Sequence, residues 1–312
     1  MDLMTPLHDL HTLGRTLGPL AHPDHPLGAR TTYRVGGTAA LFVEAVDEDQ
    51  LLEVARAVAG SAVPVLVVGK GSNLLVADRG FGGLVVSLGS GFESLDIDGE
   101  RVRAGAALSL PVLARRTAAA GLHGLEWAVG VPGSVGGAVR MNAGGHGSDT
   151  AATLVTYRWV DLVTAAVDEA PAERLGLGYR RSGLAATDVV VAAVHRLERG
   201  RPEEGRALID EIVRWRRANQ PGGSNAGSVF SNPPGDSAGR LIDSCGLKGF
   251  RIGTAEVSPR HANFIQADTG GSADDVRRVI DHVRSVVAAT TGVVLQTEVQ
   301  MIGFPPDPEG RP

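Results

Sequence analysis

The sequence predicts an α+β protein built from more than one folding unit. At 312 residues, the chain is about twice as long as a typical domain of ~150 residues. Its first part alternates strand and helix patterns, whereas its middle part has a hairpin signal and further strands around one helix. With 43% hydrophobic and 21% charged residues, the chain can bury a sizeable core, which excludes intrinsic disorder for most of its length.

Charge, apolar runs and cysteine content exclude several classes of function. Thirty basic and 35 acidic residues give a net charge of −5, so electrostatics do not favour nucleic acid or an anionic membrane as a partner. The apolar run at 189–194 is much shorter than the ~20 residues of a membrane-spanning helix, and the N-terminus lacks a signal-peptide pattern. A cytoplasmic location is therefore expected. Cys245 alone forms neither an intrachain disulfide nor a multi-cysteine metal site, and no other metal-ligand spacing is present.

Hydrophobic periodicity and capping residues indicate the elements. Residues 1–27, rich in proline and histidine, predict a poorly ordered or loosely docked leader. Asp98-Gly99 predicts a hairpin turn, and Ser272 with Asp275 fits a capping box. The predicted strands cover 38–43, 65–68, 84–88, 95–97, 101–103, 155–162, 189–194 and 294–299; the predicted helices, with caps, cover 47–60, 109–121, 207–217 and 272–289; and charged residues at 198–204 predict a linker.

Two glycine-rich loops are candidate cofactor sites. Residues 69–73 (GKGSN) follow a predicted buried strand, where glycine lets successive backbone N–H groups approach a phosphate, although a turn without a ligand fits equally well. Residues 130–145 contain six glycines in sixteen residues. Because ordering so much glycine costs backbone entropy, close contact with a flat or pyrophosphate-bearing cofactor is favoured over a structural loop.

Four polar residues are candidates for chemistry, each with a simpler alternative. Ser228, after a glycine, could present a hydroxyl, but a turn serine is the simpler interpretation. Arg180 could bind a carboxylate, or it could be a solvated arginine. Glu298 would have a raised pKa if it faced inward from its predicted strand, whereas an edge-strand glutamate would face water. Among the histidines, His261 is the best pocket candidate.

Several segments in one order together identify a family. They are 32–37 (TYRVGG), 69–75 (GKGSNLL), 124–126 (GLE) through 142–144 (NAG), 179–182 (YRRS), 227–233 (GSVFSNP), 238–242 (AGRLI) and 246–249 (GLKG). Over most of its length the chain resembles the UDP-N-acetylenolpyruvoylglucosamine reductase (MurB) family of flavoenzymes, which act in peptidoglycan precursor synthesis.

The resemblance implies an α+β fold with a two-part FAD-binding unit of the vanillyl-alcohol-oxidase (PCMH) type and a C-terminal α+β substrate domain. The implied boundaries are 1–27 for the leader, 28–93 and 94–199 for the two FAD-binding subdomains, and 200–312 for the substrate domain. It also implies that NADPH reduces non-covalently bound FAD, and that hydride then passes to UDP-N-acetylglucosamine enolpyruvate to give UDP-N-acetylmuramate.

The resemblance also implies site residues. Arg180 and Glu298 match the family's stabilising pair, and Ser228 matches its proton donor. The implied substrate-binding residues are Tyr179, Asn232 and His261. The implied cofactor-binding residues are Arg34, Gly69, Gly71, Ser72, Asn73, Leu74, Gly130, Pro132, Gly133, Ser134, Gly136, Gly137, Asn142, Ala143 and Gly144.

The chain departs from the family pattern at three positions. Ser231 stands where lysine is common, His146 where tyrosine is common, and Gln300 where some members have arginine. The short connection between residues 161 and 179 resembles the subgroup without an extra substrate-binding tyrosine loop. A monomer is expected.

Two other functions remain open. An FAD oxidase or dehydrogenase on the same scaffold would not need Arg180, Ser228 and Glu298 together. A non-catalytic flavin- or nucleotide-sugar-binding protein would keep the glycine loops without a proton donor.

Overall fold

A computed structural model describes residues 5–305, which form two compact units. Unit 1 contains residues 5–23, 41–70 and 83–216, and unit 2 contains residues 24–40, 71–82 and 217–305. The helices are α1 (Thr5–Leu17), α2 (Glu48–Val58), α3 (Leu110–Ala119), α4 (Val135–Met141), α5 (Pro202–Asn219), α6 (Ala238–Ser244) and α7 (Ala273–Thr291). None of the helices within residues 5–305 is long and apolar enough to cross a membrane.

The strands confirm the mixed α+β prediction. They are β1 (His22–His25), β2 (Ala39–Ala45), β3 (Val65–Val68), β4 (Leu74–Val76), β5 (Phe81–Leu88), β6 (Leu95–Asp98), β7 (Arg101–Gly105), β8 (Leu122–His123), β9 (Gly144–Gly145), β10 (Ser148–Asp149), β11 (Leu154–Asp161), β12 (Val167–Pro171), β13 (Asp188–Arg196), β14 (Glu198–Arg199), β15 (Arg251–Ile252), β16 (Ala255–Val257), β17 (Ile265–Ala267) and β18 (Gln300–Ile302). Two larger sheets have the orders β1-β2-β5-β3 and β12-β11-β13-β7-β6, and the second is antiparallel throughout.

Local signals explain several elements of unit 1. The Asp47 side chain accepts a hydrogen bond from the Gln50 amide at 2.9 Å and begins α2, whose apolar face is buried as predicted. The hairpin predicted at Asp98-Gly99 joins β6 to β7, and Gly99 takes a φ of +58° that glycine adopts without a Cβ clash. The predicted strand at 65–68 is β3, which pairs in parallel with β5.

The N-terminal segment differs from the predicted leader. Its described part contains helix α1, and Leu13 and Leu17 are buried in the core of unit 1. Their spacing of four residues places both on one face of the helix, a signal that the surrounding prolines and histidines obscure. Residues 1–4 of the predicted leader lie outside the described residues.

The predicted domain boundary at residue 200 also differs from the division into units. Helix α5 begins at Pro202 rather than at 207, and its Ile209 and Ile212 are buried in the core of unit 1. Residues 200–216 therefore pack with the segments that precede them. The three-part division of the chain stays a prediction.

Unit 2 is built on the apolar face of α7. Val276, Val279 and Val283 are fully buried there, at the helical spacing that the sequence shows. The capping box is half formed: the Ser272 hydroxyl accepts from the Asp275 amide, whereas the Asp275 carboxylate accepts from the backbone N–H of Thr254 at 2.7 Å. The strand predicted at 294–299 is absent as a strand, because this segment makes only an isolated bridge from Thr297 to Phe230 and regular pairing begins with β18.

His195 gives the fold a defined pH dependence. Its ring is fully buried on β13, with Nδ1 3.0 Å from the Thr153 hydroxyl, and burial lowers its pKa to about 4. Because this histidine binds a proton near pH 6.5 in the unfolded chain, its contribution to the free energy of unfolding falls by about 3 kcal/mol as the pH falls from 6.5 to 4.

This loss can be measured by urea denaturation across that pH range. We expect His195→Gln to show a smaller fall than the wild type, whatever its stability at neutral pH, because glutamine does not titrate. His22→Gln, which removes an exposed histidine, serves as the control and should keep the wild-type fall. Parallel curves for the wild type and His195→Gln would contradict the assignment.

Candidate functional site

In unit 1, the two predicted cofactor loops meet at Gly69 and Ser134. A Cβ on Gly69 would lie 2.5 Å from the Ser134 hydroxyl oxygen, so a side chain at this position would require that hydroxyl to move. Ser134 is buried and begins α4, where its hydroxyl accepts from the Gly137 amide at 3.4 Å. The loops therefore approach each other as closely as backbone and hydroxyl allow.

Four backbone N–H groups at this place have no acceptor. Those of Gly69, Lys70, Gly133 and Ser134 donate to no acceptor within residues 5–305, although Gly133 and Ser134 are buried. We call these four residues the amide cradle. Buried amides are almost always paired, so unpaired ones beside a glycine fit an anion such as a pyrophosphate. The Lys70 ammonium pairs with Glu93 at 3.3 Å.

Other glycines of the 130–145 loop have structural reasons. A Cβ on Gly136 would lie 3.0 Å from that of Ala106, and one on Gly144 would lie 2.5 Å from that of Asp149. The glycine excess, which the sequence attributes to close contact with a cofactor, therefore serves internal packing in part. Pro132 is exposed next to the amide cradle, and Gly137 is also exposed.

Asn142 uses its side chain inside the protein. It adopts a left-handed φ of +41° at the end of α4. Its Nδ2 donates to Asp149 Oδ2 at 3.0 Å and to the Gly178 carbonyl at 3.1 Å, and its Oδ1 accepts from the Ala151 amide at 3.0 Å. These hydrogen bonds fix the loop that contains Ala143. Because they occupy the Asn142 side chain, the cofactor contact predicted for Asn142 would be made by its backbone.

Arg180 is joined to this loop. Its Nη2 donates to the Gly144 carbonyl at 3.0 Å, and its guanidinium carbon lies 5.1 Å from the ring centre of Tyr179. The backbone of Arg180 has a φ of +56°, which is uncommon for a residue with a side chain and is often found at functional sites. Tyr179 is 63% exposed. Unit 1 therefore brings a predicted catalytic arginine and a predicted substrate-binding tyrosine to the predicted cofactor loop.

In unit 2, the segments of Ser228 and Glu298 are adjacent. The carbonyl of Val229, next to Ser228, accepts from the Glu298 amide at 2.8 Å. Both side chains are half-buried. Gly227 precedes the serine with a φ of +77°, and its amide donates to Asn225 Oδ1 at 3.0 Å. Two of the predicted catalytic residues thus lie on directly bonded segments.

Asn263 holds the serine segment and was not predicted. Its Oδ1 accepts from the Phe230 amide at 2.9 Å, its Nδ2 donates to the Phe230 carbonyl at 2.8 Å, and its own carbonyl accepts from the Val229 amide at 2.9 Å. The residue is 3% exposed. Its position among apolar residues in 262–265 (ANFI) is the signal that could have indicated this role, since a buried asparagine requires hydrogen-bond partners.

The first glycine loop continues in unit 2 with a different task. Asn73 Nδ2 donates to the Glu298 carbonyl at 3.0 Å, and the Asn73 carbonyl accepts from the Gln300 amide at 2.9 Å. Leu74 then pairs in parallel with Gln300. Asn73, predicted to bind the cofactor, therefore positions the backbone of a predicted catalytic residue, and half-buried Ser72 precedes it.

Gly71 and Arg34 belong to one tight turn region of unit 2. Gly71 has a φ of +61°, and a Cβ there would lie 2.4 Å from the Arg30 carbonyl oxygen. The Gly71 carbonyl accepts from the Thr32 amide at 3.2 Å. Arg34 has a φ of +56° and an exposed side chain. Tyr33, next to Arg34 in the chain, is fully buried, and its hydroxyl has no partner among the described residues. Burial raises the pKa of this hydroxyl.

The predicted substrate residues of unit 2 keep some polar atoms available. Asn232 is exposed, and its Oδ1 accepts from the Ala238 amide that begins α6, at 3.0 Å. His261 Nδ1 accepts from the Asn263 amide at 3.3 Å, which leaves Nε2 as the protonated nitrogen of the neutral ring. Burial is the main cause that lowers the pKa of His261. Within residues 5–305, no group of three or more histidine, cysteine and acidic side chains could hold a metal ion.

The role of Asn263 can be tested by its stability effect. We expect Asn263→Ala to lower the free energy of unfolding by about 2–4 kcal/mol, because the backbone N–H and carbonyl of Phe230 would lose their partners in the core. Urea denaturation measures this. Gln296→Ala, an exposed amide of the same unit, should change stability by less than about 0.5 kcal/mol. Equal effects of the two substitutions would contradict the account.

Comparison with known proteins gives matches over most of the chain. The model of the "FAD binding domain" matches residues 39–167, and that of the "UDP-N-acetylenolpyruvoylglucosamine reductase, C-terminal domain" matches residues 219–302. The chain is 44% identical over 283 residues to the UDP-N-acetylenolpyruvoylglucosamine reductase of Heliobacterium modesticaldum, with 89% of each chain covered. It is 42% identical over 302 residues to that of Rubrobacter xylanophilus, covering 96% of this chain and 100% of the relative.

A solved structure agrees with these matches. The crystal structure of UDP-N-acetylenolpyruvylglucosamine reductase (MurB) from Thermus caldophilus is similar, with a TM-score of 0.79 and 36% identity. The match covers 89% of this chain and 97% of that one.

Proposed function

This chain belongs to the UDP-N-acetylenolpyruvoylglucosamine reductase family, and on that premise we propose that it reduces UDP-N-acetylglucosamine enolpyruvate to UDP-N-acetylmuramate with NADPH and FAD, in peptidoglycan precursor synthesis. It is an FAD-dependent oxidoreductase with the α+β fold of the family: an FAD-binding domain of the PCMH type and the reductase C-terminal domain. The observation that carries the proposal is the presence of both matched domains on one chain, at 42–44% identity to reductases over about nine-tenths of its length.

Unit 1 fits FAD through its amide cradle. The cradle offers four N–H groups without an acceptor among residues 5–305, and Gly69 has no side chain that would separate them from the Ser134 hydroxyl. The Ser134 hydroxyl, which accepts from Gly137, can still donate its own proton to a phosphate oxygen. When bound, FAD supplies the hydride chemistry between NADPH and the substrate. We propose that the other predicted cofactor residues of unit 1, which follow one another in the 130–144 loop, line the same site.

Arg180 is proposed to stabilise charge on the substrate. Hydride arrival at the enolpyruvyl β-carbon places negative charge on the α-carbon and carboxylate, and a guanidinium can offer two parallel N–H groups to a carboxylate. The bond from Nη2 to the Gly144 carbonyl fixes the orientation of the side chain. Tyr179 beside it is proposed to contact substrate.

Ser228 is proposed to give its hydroxyl proton to the α-carbon, and Glu298 to stabilise the reacting group. Two sets of hydrogen bonds support this pairing: those of Asn263 to Val229 and Phe230, and that from the Glu298 amide to the Val229 carbonyl. Together they hold the backbones of the Ser228 and Glu298 segments at a fixed spacing. A serine hydroxyl is a weak acid, so its proton must be replaced from a neighbour or from water. In the same unit, Asn232 and His261 are proposed to bind the substrate, His261 through its Nε2 proton.

Ser231 and Gln300 lack the positive charges that lysine and arginine supply at these positions in other members of the family. Ser231 donates both its backbone N–H and its hydroxyl to the Gln296 carbonyl, at 3.0 and 3.3 Å, so it is bound inward to its own unit. Gln300 is exposed and carries no charge.

We also propose membership of the subgroup without the extra tyrosine loop, a monomeric state and a cytoplasmic location. An oxidase or a non-catalytic binding protein is disfavoured, because neither needs Arg180, Ser228 and Glu298 together.

The role of Ser228 separates the two half-reactions. We expect Ser228→Ala to leave anaerobic reduction of the flavin by NADPH within about twofold of the wild type. Reoxidation by the enolpyruvyl sugar should slow by ~100-fold or more, the usual contribution of a positioned proton donor. Stopped-flow absorbance of the flavin measures both steps.

Ser231→Ala is the matched control, since it removes another hydroxyl three residues along the same segment. It should slow reoxidation by less than about tenfold, within the spread of ordinary surface and turn substitutions. Equal slowing of both half-reactions in Ser228→Ala, or a wild-type rate of reoxidation, would refute the proton-donor role. A wild-type protein that does not reoxidise with the sugar would refute the proposed function itself.

A further inference from the structure

Arg216, near the end of α5, is a partly buried arginine without a partner in the part of the chain that the structure describes. It makes neither an ion pair nor a hydrogen bond to any of residues 5–305, and burial lowers its pKa. Other partly buried arginines of unit 1 are paired: Arg158 with Glu48 at 2.7 Å, and Arg140 with the Asp188 carbonyl at 2.7 Å. Arg216 is therefore an exception that needs a cause.

The surroundings of Arg216 lead to the predicted cofactor loop. A Cβ on Gly130 would lie 3.0 Å from Arg216 Cδ and 3.3 Å from its Nη1, so the side chain packs on the Gly130 backbone. His146 lies against Trp215, with ring centres 5.2 Å apart. The pKa of His146 is lowered first by burial and then by the charge of Arg216, and Glu211 acts in the opposite direction. Arg216 therefore lies close enough to His146 for its charge to act on the ring.

A cation that is partly removed from water without gaining a partner costs free energy, and a bound anion would offset that cost. The aliphatic stem of Arg216 already has its packing on Gly130 and needs no charge for it. The charge itself is explained if a ligand brings a negative group to this place. The loop that it covers is the one whose Gly133 and Ser134 have amides unpaired among the described residues.

We propose that Arg216, His146 and the backbone of Gly130 form an anion subsite in unit 1, which takes a phosphate group of a nucleotide cofactor. The proposal rests on the proposed function for its ligand, since FAD and NADPH are the two phosphate-bearing cofactors of that reaction. The amide cradle supplies neutral donors, whereas Arg216 supplies the full positive charge. His146, in place of the tyrosine that is common in the family, adds a ring nitrogen to the subsite.

The test compares substitutions that separate charge from packing. Arg216→Met removes the charge and keeps an apolar stem, Arg216→Lys keeps a charge, and Arg214→Met removes an exposed charge from the same helix as the control. Binding of FAD to each flavin-free full-length protein is measured by quenching of flavin fluorescence. The dissociation constant for NADPH is measured from the dependence of flavin reduction on NADPH concentration.

We expect Arg216→Met to weaken one of the two cofactors by about ten- to hundredfold, the usual range for a charged hydrogen bond. Weaker FAD binding assigns the phosphate to FAD, and weaker NADPH binding with normal FAD binding assigns it to NADPH. Arg216→Lys should recover part of the loss, and Arg214→Met should stay within twofold of the wild type. Affinities of Arg216→Met within twofold for both cofactors overturn the subsite.

Two further measurements separate the inference from its premise. The flavin-free Arg216→Met protein should melt at or above the wild-type temperature, because an uncompensated charge is removed. A much lower melting temperature with unchanged cofactor affinities would assign Arg216 to packing and overturn the subsite. If the wild-type protein bound no FAD, the proposed function would fail, and calorimetric titration with inorganic pyrophosphate would decide the subsite: loss of binding in Arg216→Met supports it, and equal or absent binding in both proteins overturns it.

Discussion

The close approach of Gly69 to Ser134 is the contact on which the cofactor-binding half of the chain depends. With 2.5 Å between the Ser134 hydroxyl and the position of a Cβ, a side chain at 69 would require the hydroxyl to leave its place beside the Gly137 amide. Beside this contact, at the start of the helix, the N–H groups of Gly133 and Ser134 have no acceptor among residues 5–305. A strand end and a helix start that meet in this way leave backbone donors that fit a phosphate.

In unit 2, the proposed catalytic residues Ser228 and Glu298 lie outside regular strands, so other groups must hold their backbones in place. Asn263 takes the place of a neighbouring strand for Phe230, and Asn73 does the same for the carbonyl of Glu298. Amide side chains can satisfy backbone donors and acceptors without imposing the register of a sheet. The Ser228 and Glu298 segments are therefore fixed in position, and both side chains are half-buried.

Elements with a strong local signal could be predicted from the sequence. Helix α7 shows the full apolar period, and the Asp47 cap and the Asp98-Gly99 turn each require a particular side chain or φ. Helix α1 was missed because two buried leucines among prolines and histidines give a weak period. The apolar-leaning pattern of the Glu298 segment predicts a strand, whereas the segment makes only an isolated bridge and a few backbone bonds, and the Asn73 side chain completes the pairing of the Glu298 carbonyl. The roles of Asn263 and Arg216 depend on tertiary contacts, which spacing along the chain does not contain.

The most direct test of the reductase assignment is the visible absorption spectrum of the purified protein, followed without oxygen. We expect a bound flavin that bleaches on addition of NADPH and recovers its oxidised spectrum only when UDP-N-acetylglucosamine enolpyruvate is added. A flavin that recovers with oxygen but not with the enolpyruvyl sugar would contradict the reductase assignment. A protein that holds no flavin after reconstitution with FAD would contradict the interpretation of the amide cradle.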